Sequence, residues 1–170
     1  AGHSVVIGSR DEGRARNRAQ ELSLLGNTVI KGVNNQAAIL ESEVVVVSVP
    51  YAAHHATFKM VREHHQNDAI VVDITVPLKP PKVRRVHLPD GYSAALEAAE
   101  ILGEQIKLVS AIHHVSSTHL ADLAHPIDCD ILVCGNNKEA RQTIINLAND
   151  LGTRGLDAGV LANSVALESL

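Results

Sequence analysis

The sequence predicts the α/β class: a doubly wound, mostly parallel sheet, incomplete at its N-terminus. Two observations carry this. Short β-branched runs alternate with longer segments of helical periodicity along the whole chain, the pattern of parallel strands joined by crossover helices. Two of those runs, Val44–Val47 and residues 70–72, are apolar without alternation, as strands covered on both faces must be.

The elements follow in order. A first strand is expected over 4–8 and a helix over 11–25. Ser9-Arg10-Asp11-Glu12 opens that helix as a capping box, with the Ser9 hydroxyl accepting the third helical N–H while Glu12 reaches back. Gly26-Asn27 ends it and turns the chain. Strands then fall over 28–31, 43–49, 69–76, 107–112 and 129–134, and helices over 35–41, 51–65, 93–102 and 138–151, with a last helix starting near Leu161. From Pro77 to Gly91 there are four prolines and no long apolar run. That stretch reads as a surface loop carrying Lys79, Lys82, Arg84 and Arg85.

Composition narrows the function. The chain has 170 residues, 45% of them hydrophobic, enough for one real core. A net charge of −4 gives a polyanion nothing to release counterions against. With one Phe, two Tyr and no Trp, there are almost no flat rings for bases to stack on, so no nucleic-acid partner is expected. No segment approaches the roughly 20 apolar residues of a membrane span, and no signal-peptide pattern is present; a cytoplasmic protein without a membrane partner is expected. Cys129 and Cys134 lie in or beside the apolar run CDILVC and read as reduced core thiols.

The order of elements is that of a Rossmann-type sheet entered at its second strand. Ala1-Gly2-His3 followed by Ser4-Val5-Val6-Ile7-Gly8 looks like a helix-ending Gly and then the second strand, and no G-x-G-x-x-G occurs anywhere. The first strand, the Gly-rich turn and most of the first helix are therefore expected to be absent, and the last helix to be cut short at Leu170. Residues 1–106 would form the nucleotide-binding part, and 107–170 would complete the sheet and a substrate pocket.

The end of the second strand of such a sheet selects the nucleotide, an acidic residue there favouring a ribose 2′-hydroxyl and positive charge a 2′-phosphate. Here it reads Ser9-Arg10, with Arg14 one helical turn on, a hydroxyl and two guanidinium groups suited to NADP. Ligands lie beyond the carboxyl ends of the strands, so Val49-Pro50 and Val76-Pro77 are expected to flank the groove. His113 and His114 leave the strand over 107–112 where a substrate ring would approach; an imidazole there orients a carbonyl or relays a proton, or is a plain strand-end histidine. His54, His55, His64 and His65 share one helix but span too much of it to ligate one ion. They are read as surface histidines, and no metal site is expected.

The runs GHSVVIGSR, VVVVSVPY, VVDITVPL, LVSAIHHV, CDILVCGNN and LDAGVLANSVALESL, in this order, resemble the NADPH-dependent reductases of the deazaflavin coenzyme F420 over nearly all the chain. The resemblance implies an oxidoreductase passing a hydride between NADP(H) and carbon 5 of the deazaflavin. It implies NADP and coenzyme F420 as cofactors and a homodimer. By the same likeness Ser9, Arg10 and Arg14 hold the 2′-phosphate, and His113 lies at the deazaflavin pocket beside Val115 and the Pro77 turn. Hydride transfer is the cofactors' own chemistry, so positioning residues are expected and no general acid or base. Two other readings stay open: an NADP-dependent reductase of another acceptor, similar to ferric reductases or pyrroline-carboxylate reductases, and a non-catalytic NADP-sensing module.

Overall fold

The computed structural model describes residues 2–66, 68–78, 87–122 and 126–169. Along the chain run β1 (Val5–Ser9), α1 (Glu12–Gly26), β2 (Ile30–Asn34), α2 (Asn35–Glu41), β3 (Val44–Val47), α3 (Tyr51–His64) and β4 (Ile70–Asp73). There follow α4 (Ala94–Leu102), β5 (Lys107–Ala111), α5 (Ser117–Ala121), β6 (Asp130–Gly135), α6 (Lys138–Asp150) and β7 (Arg154–Asp157). A 3₁₀ turn (Leu161–Asn163) then runs into α7 (Ser164–Leu167).

β1 and β2 pair in parallel as a sheet of their own, and the other five strands form a second sheet in the order β3-β4-β5-β6-β7. All its pairings are parallel except β5 with β6, so the mostly parallel α/β class holds. β4 explains the apolar run without alternation. Val71 enters one core, with Phe58 and Val61 of α3 and Ala95, Ala98 and Leu102 of α4. Ile70 and Val72 enter the other, with Ala140, Ile144, Ile145 and Ala148 of α6. Each strand residue therefore meets a helix on its own side, and β4 is buried throughout. β3 departs from the expectation that both its faces are buried. It is the edge strand of its sheet, and Val46 is 51% exposed.

One local expectation is corrected, and two short elements, β7 and α5, add to the expected set. The cap of α1 is Asp11, whose carboxylate accepts the N–H of Arg14; Ser9 Oγ accepts instead from the N–H of Asp11 (3.2 Å), and Glu12 pairs with Arg16. The aspartate is the stronger acceptor and sits two residues nearer the helix, so it takes the cap that Ser9 was expected to fill. β7 escapes a sequence reading because Arg-Gly-Leu-Asp has neither an apolar run nor alternation. It forms because β6 offers an edge and Asp130 lies opposite Arg154, to which it is ion-paired. α5 is one short turn with no buried residue. Asn27 ends α1 in the left-handed conformation expected of it (φ 46°).

α1 lies hard against β2. A Cβ on Gly32 would stand 2.4 Å from the backbone of Ala15, and Ala15 and Ala19 are the buried residues of that helix. Only a glycine facing small side chains allows this approach.

Candidate active site

The parallel register sets β3, β4 and β5 so that Val47 lies beside Asp73 and Asp73 beside Ser110. Three chain exits therefore leave one sheet edge side by side: Ser48-Val49-Pro50, residues 74–77, and residues 112–115. Val49 packs against the α3/α4 core, Pro50 is exposed at the start of α3, Val76 is half-buried and Pro77 buried. Val115 packs against the α6 core. Ile112 turns the β5 exit with φ 66°, a conformation a β-branched residue adopts at a cost of about 1–3 kcal/mol and one concentrated at ligand sites.

Beneath these exits lies a polar layer that the sequence did not reveal. Asp73 is fully buried. Its Oδ1 accepts the N–H of Thr75 (2.9 Å), and its Oδ2 accepts Nε2–H of His54 (2.8 Å). His54 is thus corrected: it is 1% exposed, packed with its ring 4.5 Å from that of Phe58 and tilted by 47°, and no surface histidine. The signal was available in the apolar run Ile70-Val71-Val72-Asp73-Ile74, since a carboxylate in a doubly covered strand must find a partner.

Ser110, buried in register with Asp73, holds its Oγ 3.4 Å from Nε2 of His113. Burial pushes the His113 imidazole down to about 4; the Asp73 charge works against that shift and His114 adds to it. His113 is therefore a neutral ring at neutral pH. His114 donates from Nε2 to the carbonyl of Asp130 (2.5 Å), a bond that fixes the β6 entry.

The layer is closed from the C-terminal side. Glu168 is 9% exposed, and its two oxygens accept the N–H groups of Ala94 (2.7 Å) and Ala95 (3.0 Å) at the start of α4. Ser93 and Ser164 share a hydrogen bond of 2.7 Å beside them. Burial raises the Glu168 carboxyl to about 7, against the opposing effect of the two N–H groups and with a further push from Asp73. The Cys134 thiol is buried and raised to about 11 by that burial, which leaves it a packing group; Cys129 is half-buried, and both are free.

Ser9, Arg10 and Arg14 lie at the exit of β1, on the other sheet. Among the described residues Arg10 and Arg14 have no acidic partner, whereas Arg16 and Arg18 on the same helix pair with Glu12 and Glu21. Both are exposed, and the Ser9 hydroxyl, accepting from Asp11, keeps its proton to donate. Two unneutralised guanidinium groups and a hydroxyl fit a phosphate dianion. The N-terminus of α1 adds little to this group, because the Asp11 carboxylate already caps it through the N–H of Arg14. Among the described residues no hydrogen bond joins this group to the exits of β3, β4 and β5. A cleft of about 400 Å³ between α3 and α4 is lined by Tyr51, His54, His55, Glu97 and Glu100; its two carboxylates suit no anionic ligand. Lys79, Lys82, Arg84 and Arg85, expected to guide an anionic coenzyme, lie outside the described residues.

Comparison with known proteins gives a consistent result. Residues 1–77 match the family model of NADP oxidoreductases described as coenzyme F420-dependent. The chain is 37% identical to the F420-dependent NADP reductase of Methanocaldococcus jannaschii, an alignment covering 99% of this chain and 78% of that one. It is 34% identical to the protein of the same name from Methanothermobacter marburgensis, covering 100% of this chain and 79% of that one. Among solved structures, a putative F420-dependent NADP reductase from Arthrobacter sp. FB24 superposes with a TM-score of 0.77 at 23% identity, covering 99% of this chain and 79% of that one.

Proposed function

The chain belongs to the coenzyme F420-dependent NADP oxidoreductases, and from that membership we propose how its residues divide the work of the reaction. It is an oxidoreductase that transfers a hydride between NADP(H) and coenzyme F420. Residues 1–106 bind the nucleotide, and residues 107–170 complete the sheet and the pocket of the deazaflavin. Ser9, Arg10 and Arg14 hold the 2′-phosphate. Val49 and Pro50 flank the adenosine-ribose end of the groove and Val76 and Pro77 its nicotinamide end, and His113 and Val115 face the second ring.

The nicotinamide and the deazaflavin supply the hydride chemistry when bound. What the protein contributes is orientation and the exclusion of water. Pro77 is buried and preceded by Thr75, whose N–H is tied to Asp73, so the β4 exit presents a fixed surface. The β5 exit is fixed likewise by the Ser110–His113 contact and the turn at Ile112. His113, neutral and half-buried, offers a hydrogen bond without bringing a charge into the groove. No residue is assigned as a general acid or base. We take the working form to be a cytoplasmic homodimer, on the family likeness. Light scattering on the full-length protein measures that directly, and a monomer with full activity would remove it.

The observation that carries this reading is the pair of unpartnered guanidinium groups at the β1 exit. Replacing Arg10 and Arg14 by Ala should raise KM for NADPH by about 10- to 100-fold, the value of one or two charge-assisted hydrogen bonds, and leave the much weaker use of NADH unchanged. An equal loss with both nucleotides would remove these residues from the phosphate site.

A further inference from the structure

Asp73 is the most deeply buried acidic group among the described residues, at 0% exposure, and the division of work given above assigns it no part. Its two oxygens are held by Thr75 N–H and His54 Nε2–H. A buried acidic group is costly to keep unless it is paired and hydrogen-bonded, and its charge is felt by its neighbours: it opposes the lowering of His113 and adds to the raising of Glu168.

Three features place that charge under the groove. Asp73 precedes Pro77 by four positions on the β4 exit. It lies in register with Ser110, from which His113 hangs. It shares the α3/α4 side of the sheet with Glu168, which closes the layer from the C-terminal side. His54, His113 and Glu168 are the titratable groups that face it.

Resting on the reading above, in which the nicotinamide lies along the β4 exit, we infer that Asp73, held by His54, is a positioning residue that tunes the bound nucleotide toward its oxidised form. The nicotinamide ring is cationic in NADP+ and uncharged in NADPH, while the 2′-phosphate and pyrophosphate are common to both. A fixed negative charge in a medium of low effective dielectric therefore acts on the difference between the two forms and little on what they share. The same charge stabilises the positive ring that develops as a hydride leaves NADPH.

The test is equilibrium binding of NADP+ and of NADPH, each alone, to full-length wild type and to Asp73→Asn at pH 8. The asparagine keeps an oxygen for Thr75 N–H and offers its NH2 to the other tautomer of His54, so the hydrogen bonds survive while the charge goes. The ratio Kd(NADP+)/Kd(NADPH) should rise by about tenfold, equivalent to about 30 mV for this two-electron couple. A purely structural role for Asp73 would weaken both forms together and leave the ratio within twofold of wild type, which would overturn the inference. Should Asp73→Asn fail to fold, Glu168→Gln decides. It removes the second carboxylate of the layer and should move the ratio the same way by about threefold, and an unchanged ratio overturns the inference. Failure of the underlying reading looks different: wild type would then bind neither nucleotide in a manner sensitive to Arg10.

Discussion

At the level of single residues, what could be read from the sequence was what depends on immediate neighbours. Ser9, Arg10 and Arg14 stand out because a strand exit and a helical turn set them together, and the absence of acidic partners for the two arginines follows from nearby Glu12 and Glu21 being taken by Arg16 and Arg18. His54 was illegible for the opposite reason. Its partner Asp73 is 19 positions away, and nothing in the helix that carries it distinguishes it from His55. Replacing His54 by Ala leaves one carboxylate oxygen buried without a donor and should cost about 3–5 kcal/mol in urea unfolding, with His54→Gln recovering part of it. His113 gives a prediction with a definite sign. Its folded-state value is lowered to about 4 from 6.5, so its stabilising contribution is present above the unfolded value and is lost as pH falls toward 4. Activity between pH 7 and 8 therefore shows no titration from this ring, and His113→Gln should alter kcat or KM without changing the shape of the pH profile there. A basic limb or acid limb that disappears in this variant would contradict a neutral His113.

Among the elements, periodicity placed every strand that has an apolar run and every helix longer than two turns. It erred on edges, because an edge is defined by what lies beside it: Val46 looks interior in sequence and is half exposed on β3. β7 was missed since its four residues are ordered by pairing with β6 and by the Arg141–Asp157 ion pair (2.8 Å), with no hydrophobic pattern of their own. The close approach of α1 to β2 predicts that Gly32→Ala is destabilising, since the added methyl meets backbone and no flexible side chain. Calorimetry should show a loss of about 1–3 kcal/mol, and a neutral substitution would mean the helix is free to move away. α4 depends on Glu168 for its first turn. The folded value of that carboxyl is raised to about 7 from 4.5, so the stability it contributes is full below 4.5 and is lost as pH rises through 7. Urea midpoints should fall between pH 5 and pH 8, by up to about 3 kcal/mol in unfolding free energy, and Glu168→Gln should flatten that slope.

For the molecule as a whole, the class and the Rossmann-type order of the strands, split where a first strand would lie, were legible, and the direction of β6 was not. Alternating elements imply crossovers whatever their arrangement, but β6 runs against β5 because of contacts between segments far apart in the chain, and periodicity carries no direction. No helix among the described residues is long and apolar enough to cross a membrane. The grip of Glu168 on Ala94 and Ala95 spans 74 and 73 positions, a long loop whose closure entropy its two bonds must offset. It acts as a latch, and the amide protons of Ala94 and Ala95 become its clock. They trade with deuterium only when the C-terminal turn lets go, so their exchange rates would time how often the floor of the groove opens to water.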